Sequence, residues 1–190
     1  ANSLICVIME GKSIYDFSMD PLEGQTVPLS NYRGKVILIE VMTTGFSSTF
    51  LTFLYSTLII LNALMDIFGD HNFTVLGFPC NQFGLQSPGK FYVNNETLNV
   101  LKYVRPGGSF VPKFPIFEKI EVNGLSEEPL FTYLKETLPY VNPVIGDMKK
   151  FYWSPIKVND IRWNFEKFLI TANGLPFKRY ALFTHKTFGF

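Results

Sequence analysis

Thiols, imidazoles, carboxamides and indoles are the side chains through which this chain could do chemistry. It is sparing with the first two. Its 190 residues include two cysteines, Cys6 and Cys80, and two histidines. That is too few thiols for a disulfide scaffold or a cysteine zinc site, and two imidazoles add little to a metal site. Thiol chemistry would therefore fall to Cys6 or Cys80. Cys80 opens Cys80-Asn81-Gln82-Phe83, directly after an apolar run, where a cysteine usually serves as an inert small hydrophobe. Taken singly, the neighbouring candidates read blandly: Gln82 as the cap of a turn, Trp163 as core, Asn164 as a partner for backbone groups. Lys178, Arg179 and Arg105 read as ordinary surface charge.

The elements that must position these residues follow from hydrophobic pattern. Apolar residues make up 47% and charged residues 17%, a globular composition. A net charge of +1 gives no electrostatic case for nucleic acid. Twenty Phe imply an aromatic-rich core or interface. With no repeat and no low-complexity linker, residues 1–190 read as a single domain. Val36–Val41 and Phe73–Phe78 are β-branched apolar runs of strand length. A helix between them makes a βαβ unit, with parallel pairing and a right-handed crossover. A short hairpin is expected between Ser13–Phe17 and Thr26–Leu29. Helices are expected over Glu96–Val104 and Glu128–Leu138. A second hairpin joins Phe165–Ile170 to Leu175–Tyr180 through Thr171-Ala172-Asn173-Gly174. This order predicts an α/β sandwich with a mixed central sheet flanked by helices.

One stretch resists easy placement. From Val41 to Met65 no residue is charged, while Glu40 precedes and Asp66 follows. Thr49–Phe68 is long enough to span a bilayer. Its Ser and Thr residues, and its place between two strands, favour a buried crossover helix and no membrane span.

Gly77–Gly89, GFPCNQFGLQSPG, is far more specific. It resembles the signature that follows the second core strand of glutathione peroxidases. IYDFSMDPLEG near the start, VNGLSEEPLFTYLK, and Ile156–Ile170 extend the resemblance over most of the chain. So does Leu101–Lys119, LKYVRPGGSFVPKFPIFEK, which is similar to the subunit-contact loop of tetrameric members. The resemblance implies a thioredoxin-like fold, a homo-tetramer, and reduction of hydrogen peroxide and organic hydroperoxides with glutathione as co-substrate, without cofactor or metal. The spacing after Cys6 is similar to that of the secreted branch, which implies an extracellular protein. Asn72-Phe73-Thr74 and Asn95-Glu96-Thr97 would then be glycosylation sequons. The family's site residues beside the nucleophile fall on Gln82, Trp163 and Asn164. Basic residues for the thiol substrate fall on Lys178, Arg179 and Arg105. Cys6 matches a disulfide-bonded cysteine of the secreted branch, but its partner position is Leu138.

Peroxide reduction needs a soft anion at a helix start, a selenolate or thiolate favoured by unpaired N–H groups and the helix dipole. Counted from Gly34-Lys35, that position falls on Phe46. Counted back from Asn62-Ala63-Leu64, it falls near Thr52, so the region carries extra sequence. A phenyl ring cannot attack peroxide. Because selenocysteine is encoded by a stop codon, the confined departure is expected to reflect a sequence misread around that codon. The alternative is a pseudoenzyme serving as an oligomeric binding or structural protein. The chain end, Ala181–Phe190, also departs from the family's pattern and is expected to lack its final helix.

Overall fold

The computed structural model describes residues 11–43, 51–84, 94–104, 106–139, 149 and 151–180. Cys6, Phe46, Arg105 and Ala181–Phe190 lie outside the described residues, as do the side chains of residues 51–55 and of Asn95.

Strand β1 (Ser18–Met19) pairs antiparallel with β2 (Val27–Pro28). This is the expected hairpin with shorter, shifted arms. Ser13 accepts from the Tyr15 N–H while Asp16 caps the Ser13 N–H at 2.7 Å, and this capping box winds Ile14–Asp16 into a 3-10 turn. Those residues are therefore lost to the first arm.

The main sheet contains β3 (Val36–Met42), β4 (Phe73–Pro79), β5 (Lys167–Ile170) and β6 (Pro176–Tyr180), in the order β4-β3-β5-β6. β3 and β4 run parallel in register from Val36↔Phe73 to Met42↔Pro79, as the βαβ reading expects. β5 and β6 join antiparallel, so the sheet is mixed. β5 starts later than expected because Phe165 adopts φ 65°, a left-handed conformation that a strand does not tolerate.

Alternation along the strands divides the core between two faces. Ile37, Ile39, Val41, Leu76, Phe78, Phe168 and Ile170 face α3 (Pro129–Thr137), which contributes Leu130, Phe131 and Leu134. Leu38, Met42 and Val75 face α1 (Leu51–Phe68), which contributes Leu58 and Leu61. At Gly77 a side chain would press on Met42 Sδ and the Phe114 ring, so glycine eases the close packing of the second layer over β4.

Two helices depart from expectation. The expected Glu96–Val104 helix is an α-helix, α2 (Asn94–Asn99), that widens into a π-helical turn over Val100–Val104. Among the described side chains of the crossover helix α1, burial follows one stripe. Thr57, Leu58 and Leu61 are buried, whereas Ile59, Ile60, Ile67 and Phe68 are exposed. A helix packed on one sheet face has only one face to bury, however apolar the other is. Its later part is tied by polar contacts: Asn62 Nδ2 donates to the Val111 carbonyl, Lys113 N–H donates to Asn62 Oδ1, and Lys113 pairs with Asp66. Among the described residues no helix is long and apolar enough to cross a membrane.

Candidate active site

The turn after β4 carries Gln82, and its carboxamide is held from several sides. Gln82 Oε1 accepts the main-chain N–H groups of Val122 and Asn123, each at 3.0 Å. Gln82 Nε2 donates to the Asn123 carbonyl at 2.8 Å. The side chain is therefore fixed, and the residue is only 6% exposed. One Nε2 hydrogen is not used by these bonds, and a fixed carboxamide with such a donor suits stabilisation of an adjacent anion.

Cys80 Sγ donates weakly to the same Gln82 oxygen at 3.6 Å. The Cys80 thiol is buried, and burial pushes its pKa up to about 11 against the lowering effect of hydrogen bonds from Gln82 and Val122. It remains a thiol at neutral pH and is a poor nucleophile.

Trp163 reaches this turn from a distant part of the chain. Its ring lies 6.1 Å from that of Phe83, which also meets Trp153 at 5.6 Å, edge to face. Trp163 is half-buried, and Asn164 is wholly buried. The Cys80–Phe83 turn and the Ile161–Asn164 segment are thus neighbours in space.

The basic candidates separate. Lys178 is exposed, with its Nζ over the Tyr180 ring at 4.9 Å. The Arg179 side chain is 4% exposed. Its guanidinium donates to Glu166 Oε2 at 2.6 Å and to the carbonyls of Asn159 and Asp160 at 2.8 and 3.2 Å. These donors of Arg179 are thus directed inward. Burial raises the Glu166 pKa, with Arg179 opposing it.

Sequence reasoning missed the polar seam behind these residues. Lys135 on α3 is 1% exposed and pairs with Glu127 at 2.6 Å and Asp160 at 3.1 Å. Asp160 Oδ2 also accepts from Trp153 Nε1 at 2.9 Å. Burial alone would raise Glu127, but hydrogen bonds from Lys135, Thr132 and Lys157 outweigh it and hold the carboxyl below its usual range. The signal was present: Lys135 follows Phe131 and Leu134 on the apolar stripe of α3, where a lysine must find partners. Glu40 on β3 was also missed as a buried charge. It is wholly buried, 3.2 Å from Lys167 Nζ, and burial raises its pKa to about 7 against the pull of Lys167.

A mixed sheet with helices on both faces defines a thioredoxin-like α/β protein. The crystal structure of T. cruzi GPX1 is similar, with 28% identity, a TM-score of 0.59, and coverage of 90% of this chain and 86% of that one. Trgpx in apo form gives 29% identity and a TM-score of 0.57, covering 92% and 89%. The glutathione peroxidase family profile matches residues 14–135. This chain belongs to the glutathione peroxidase family. Relatives include glutathione peroxidase 1 of Rattus norvegicus, 47% identical, with coverage of 89% of this chain and 83% of that one. The epididymal secretory glutathione peroxidase of Macaca fascicularis is 45% identical, with coverage of 90% and 74%.

Proposed function

We propose that this protein is a single-domain scaffold for reducing hydrogen peroxide and organic hydroperoxides with glutathione. In this reading Gln82, Trp163 and Asn164 line the peroxide side of the pocket, and the nucleophile belongs near Phe46. The observation that carries it is the meeting of the Gln82 turn with the Trp163 segment, two separate family motifs, around a buried and fixed carboxamide. In the complete reaction a selenolate or thiolate attacks the O–O bond. It becomes a selenenic or sulfenic acid, and the leaving oxygen takes a proton to depart as alcohol or water. One glutathione displaces water to form a mixed selenosulfide or disulfide. A second releases glutathione disulfide and restores the anion. Lys178 and Arg105 are the remaining cations for the carboxylates of glutathione.

The chain as written has no chalcogen at that position, so it should show only background glutathione-dependent peroxide loss at neutral pH. Cys80→Ser should change nothing. Replacing Val41–Leu61 with a family-like strand-to-helix turn bearing Cys should restore turnover. Phe46→Cys alone should give a rate lower by about 10²-fold, since the extra sequence misplaces the thiol. A folded graft that stays inactive with its thiol beside Gln82 and Trp163 sinks the reading. So does peroxide turnover by the unmodified chain that Cys80→Ser abolishes. The absent nucleophile favours a second reading, an oligomeric pseudoenzyme. Uninterrupted transcript coding for the written residues 41–62 supports the pseudoenzyme; a UGA or Cys codon supports the peroxidase.

Secretion and a homo-tetramer complete the proposal. The exposed side chains of Tyr103, Val104 and Val111 on the Tyr103–Phe114 loop support an interface, since such a surface is costly to leave in water. Asn72 is exposed, as a glycosylated residue must be. Sedimentation that finds only the 21.7 kDa chain overturns the tetramer.

A further inference from the structure

Asn123 belongs to neither recognised site motif, yet both meet on it. The residue is wholly buried in the segment leading to α3. Its main chain grips Gln82: the Asn123 N–H donates to Gln82 Oε1 at 3.0 Å, and the Asn123 carbonyl accepts from Gln82 Nε2 at 2.8 Å. Its side chain grips the other arm. Asn123 Nδ2 donates to the Ile161 carbonyl at 2.8 Å, and Asn123 Oδ1 accepts the Ile161 N–H at 2.9 Å. A second donor to Oδ1, Lys135 Nζ, lies at 3.1 Å and also donates to Asp160.

The chemistry of this position is selective. A side chain that answers both main-chain polar groups of one residue needs a donor and an acceptor side by side, which a short carboxamide supplies. Aspartate keeps the acceptor and loses the donor. Leucine matches in size but leaves the Ile161 peptide groups buried and unanswered, which is costly. Ile161 leads directly into Arg162-Trp163-Asn164, and the Phe83 ring beside Gln82 meets Trp163 at 6.1 Å.

We propose that Asn123 is the positioning residue that sets the Gln82 carboxamide against the Trp163–Asn164 segment. Its role rests on the reading above that these three residues line the peroxide pocket. Main chain and side chain act on different arms, so they can be separated by mutation. Removing the side chain frees the Trp163 arm and leaves Gln82 held.

The test has two arms. In the unmodified chain, Asn123→Ala is compared with wild type by NMR. The Ile161 N–H should exchange about tenfold faster or more, because a buried hydrogen-bond pair is lost. The Phe83–Trp163 ring contact should weaken. Gln82 side-chain amide protons should stay protected, and β3 and β4 should exchange as before. Asn123→Asp should shift Ile161 in the same direction by less. Should Asn123→Ala fail to fold, the Asp variant, which keeps the volume, decides. Ile161 exchange and the ring contact unmoved in a folded variant overturn the proposal.

The second arm uses the turnover-competent graft. There Asn123→Ala should lower kcat about tenfold while KM for glutathione stays within about twofold, a split that general loosening of the fold does not give. An active parent graft whose kcat is indifferent to Asn123→Ala overturns the role of Asn123 and leaves the peroxidase reading standing. An inactive parent graft overturns the peroxidase reading, and the role of Asn123 with it.

Discussion

From Thr57 to Phe68, α1 rests on the sheet through Leu58 and Leu61 and shows Ile59, Ile60, Ile67 and Phe68 to solvent. From Asn123 to Glu166 the chain does the reverse, burying Lys135, Asp160, Asn164 and Glu166 in a seam rich in ion pairs and hydrogen bonds. The first region is buried by undirected apolar contact, which tolerates many sequences of suitable size, and its polar ties through Asn62 and Asp66 lie at the exposed edge. The second is held by directed bonds, which tolerate few. The difference matters because the proposed helper residues stand on the directed side. The proposed nucleophile belongs to the strand-to-helix passage on the other. A scaffold can thus keep its receiving geometry while the segment that should bear the nucleophile carries a different sequence.

The contrast is broken most severely at Lys135. Lys135→Met should cost about 3–5 kcal/mol by leaving Glu127 and Asp160 buried without their cation, read by urea denaturation. A loss below about 1 kcal/mol would show that the seam is wetter and softer than its geometry indicates. On the apolar side, Leu58→Ala should cost about 2–5 kcal/mol through lost burial and a residual cavity.

Glu40 tests a buried charge on the α1 side of the sheet. Its carboxyl stands at about 7 in the folded protein against 4.5 ordinarily, so the folded state binds more protons between those values. The contribution of Glu40 to stability is therefore fullest below about 4.5 and falls as pH rises to about 7, by about 3 kcal/mol in total. Glu166, also raised by burial with Arg179 opposing, acts in the same direction. Glu40→Gln should flatten the slope over that window; an unchanged slope would show that Glu40 does not carry it. The smallest effect is expected at Ile60, 56% exposed, where Ile60→Lys should change stability by less than about 0.5 kcal/mol. A large loss there would mean that something covers this face in solution.

Much was legible in the linear chain. Val36–Val41 and Phe73–Phe78 announce parallel core strands through length and branching, and the structure extends each by one residue. The Thr171–Gly174 turn announces the last hairpin, because Gly174 takes φ 83° with the Tyr15 ring packed where a side chain would project. These features are local, set by steric limits acting within a few residues. The family motifs around Gln82 and Trp163 are also readable, as residue types in a fixed order.

Tertiary structure alone decided the rest. Lys178 and Arg179 are chain neighbours with the same charge, yet Arg179 turns inward to Glu166 while Lys178 stays in solvent. Strand alternation puts them on opposite faces, but only the packed partner supplies the carboxylate that makes burying a cation tolerable. Likewise Asn123 reads as an ordinary turn residue before Gly124. Its two grips, on Gln82 and on Ile161, join stretches far apart in the chain, and no local pattern encodes them. Sequence set which segments could become strands and helices, because those choices depend on neighbours in the chain. It could not set which polar groups would share a dry interior, because that depends on what folding brings to the same place.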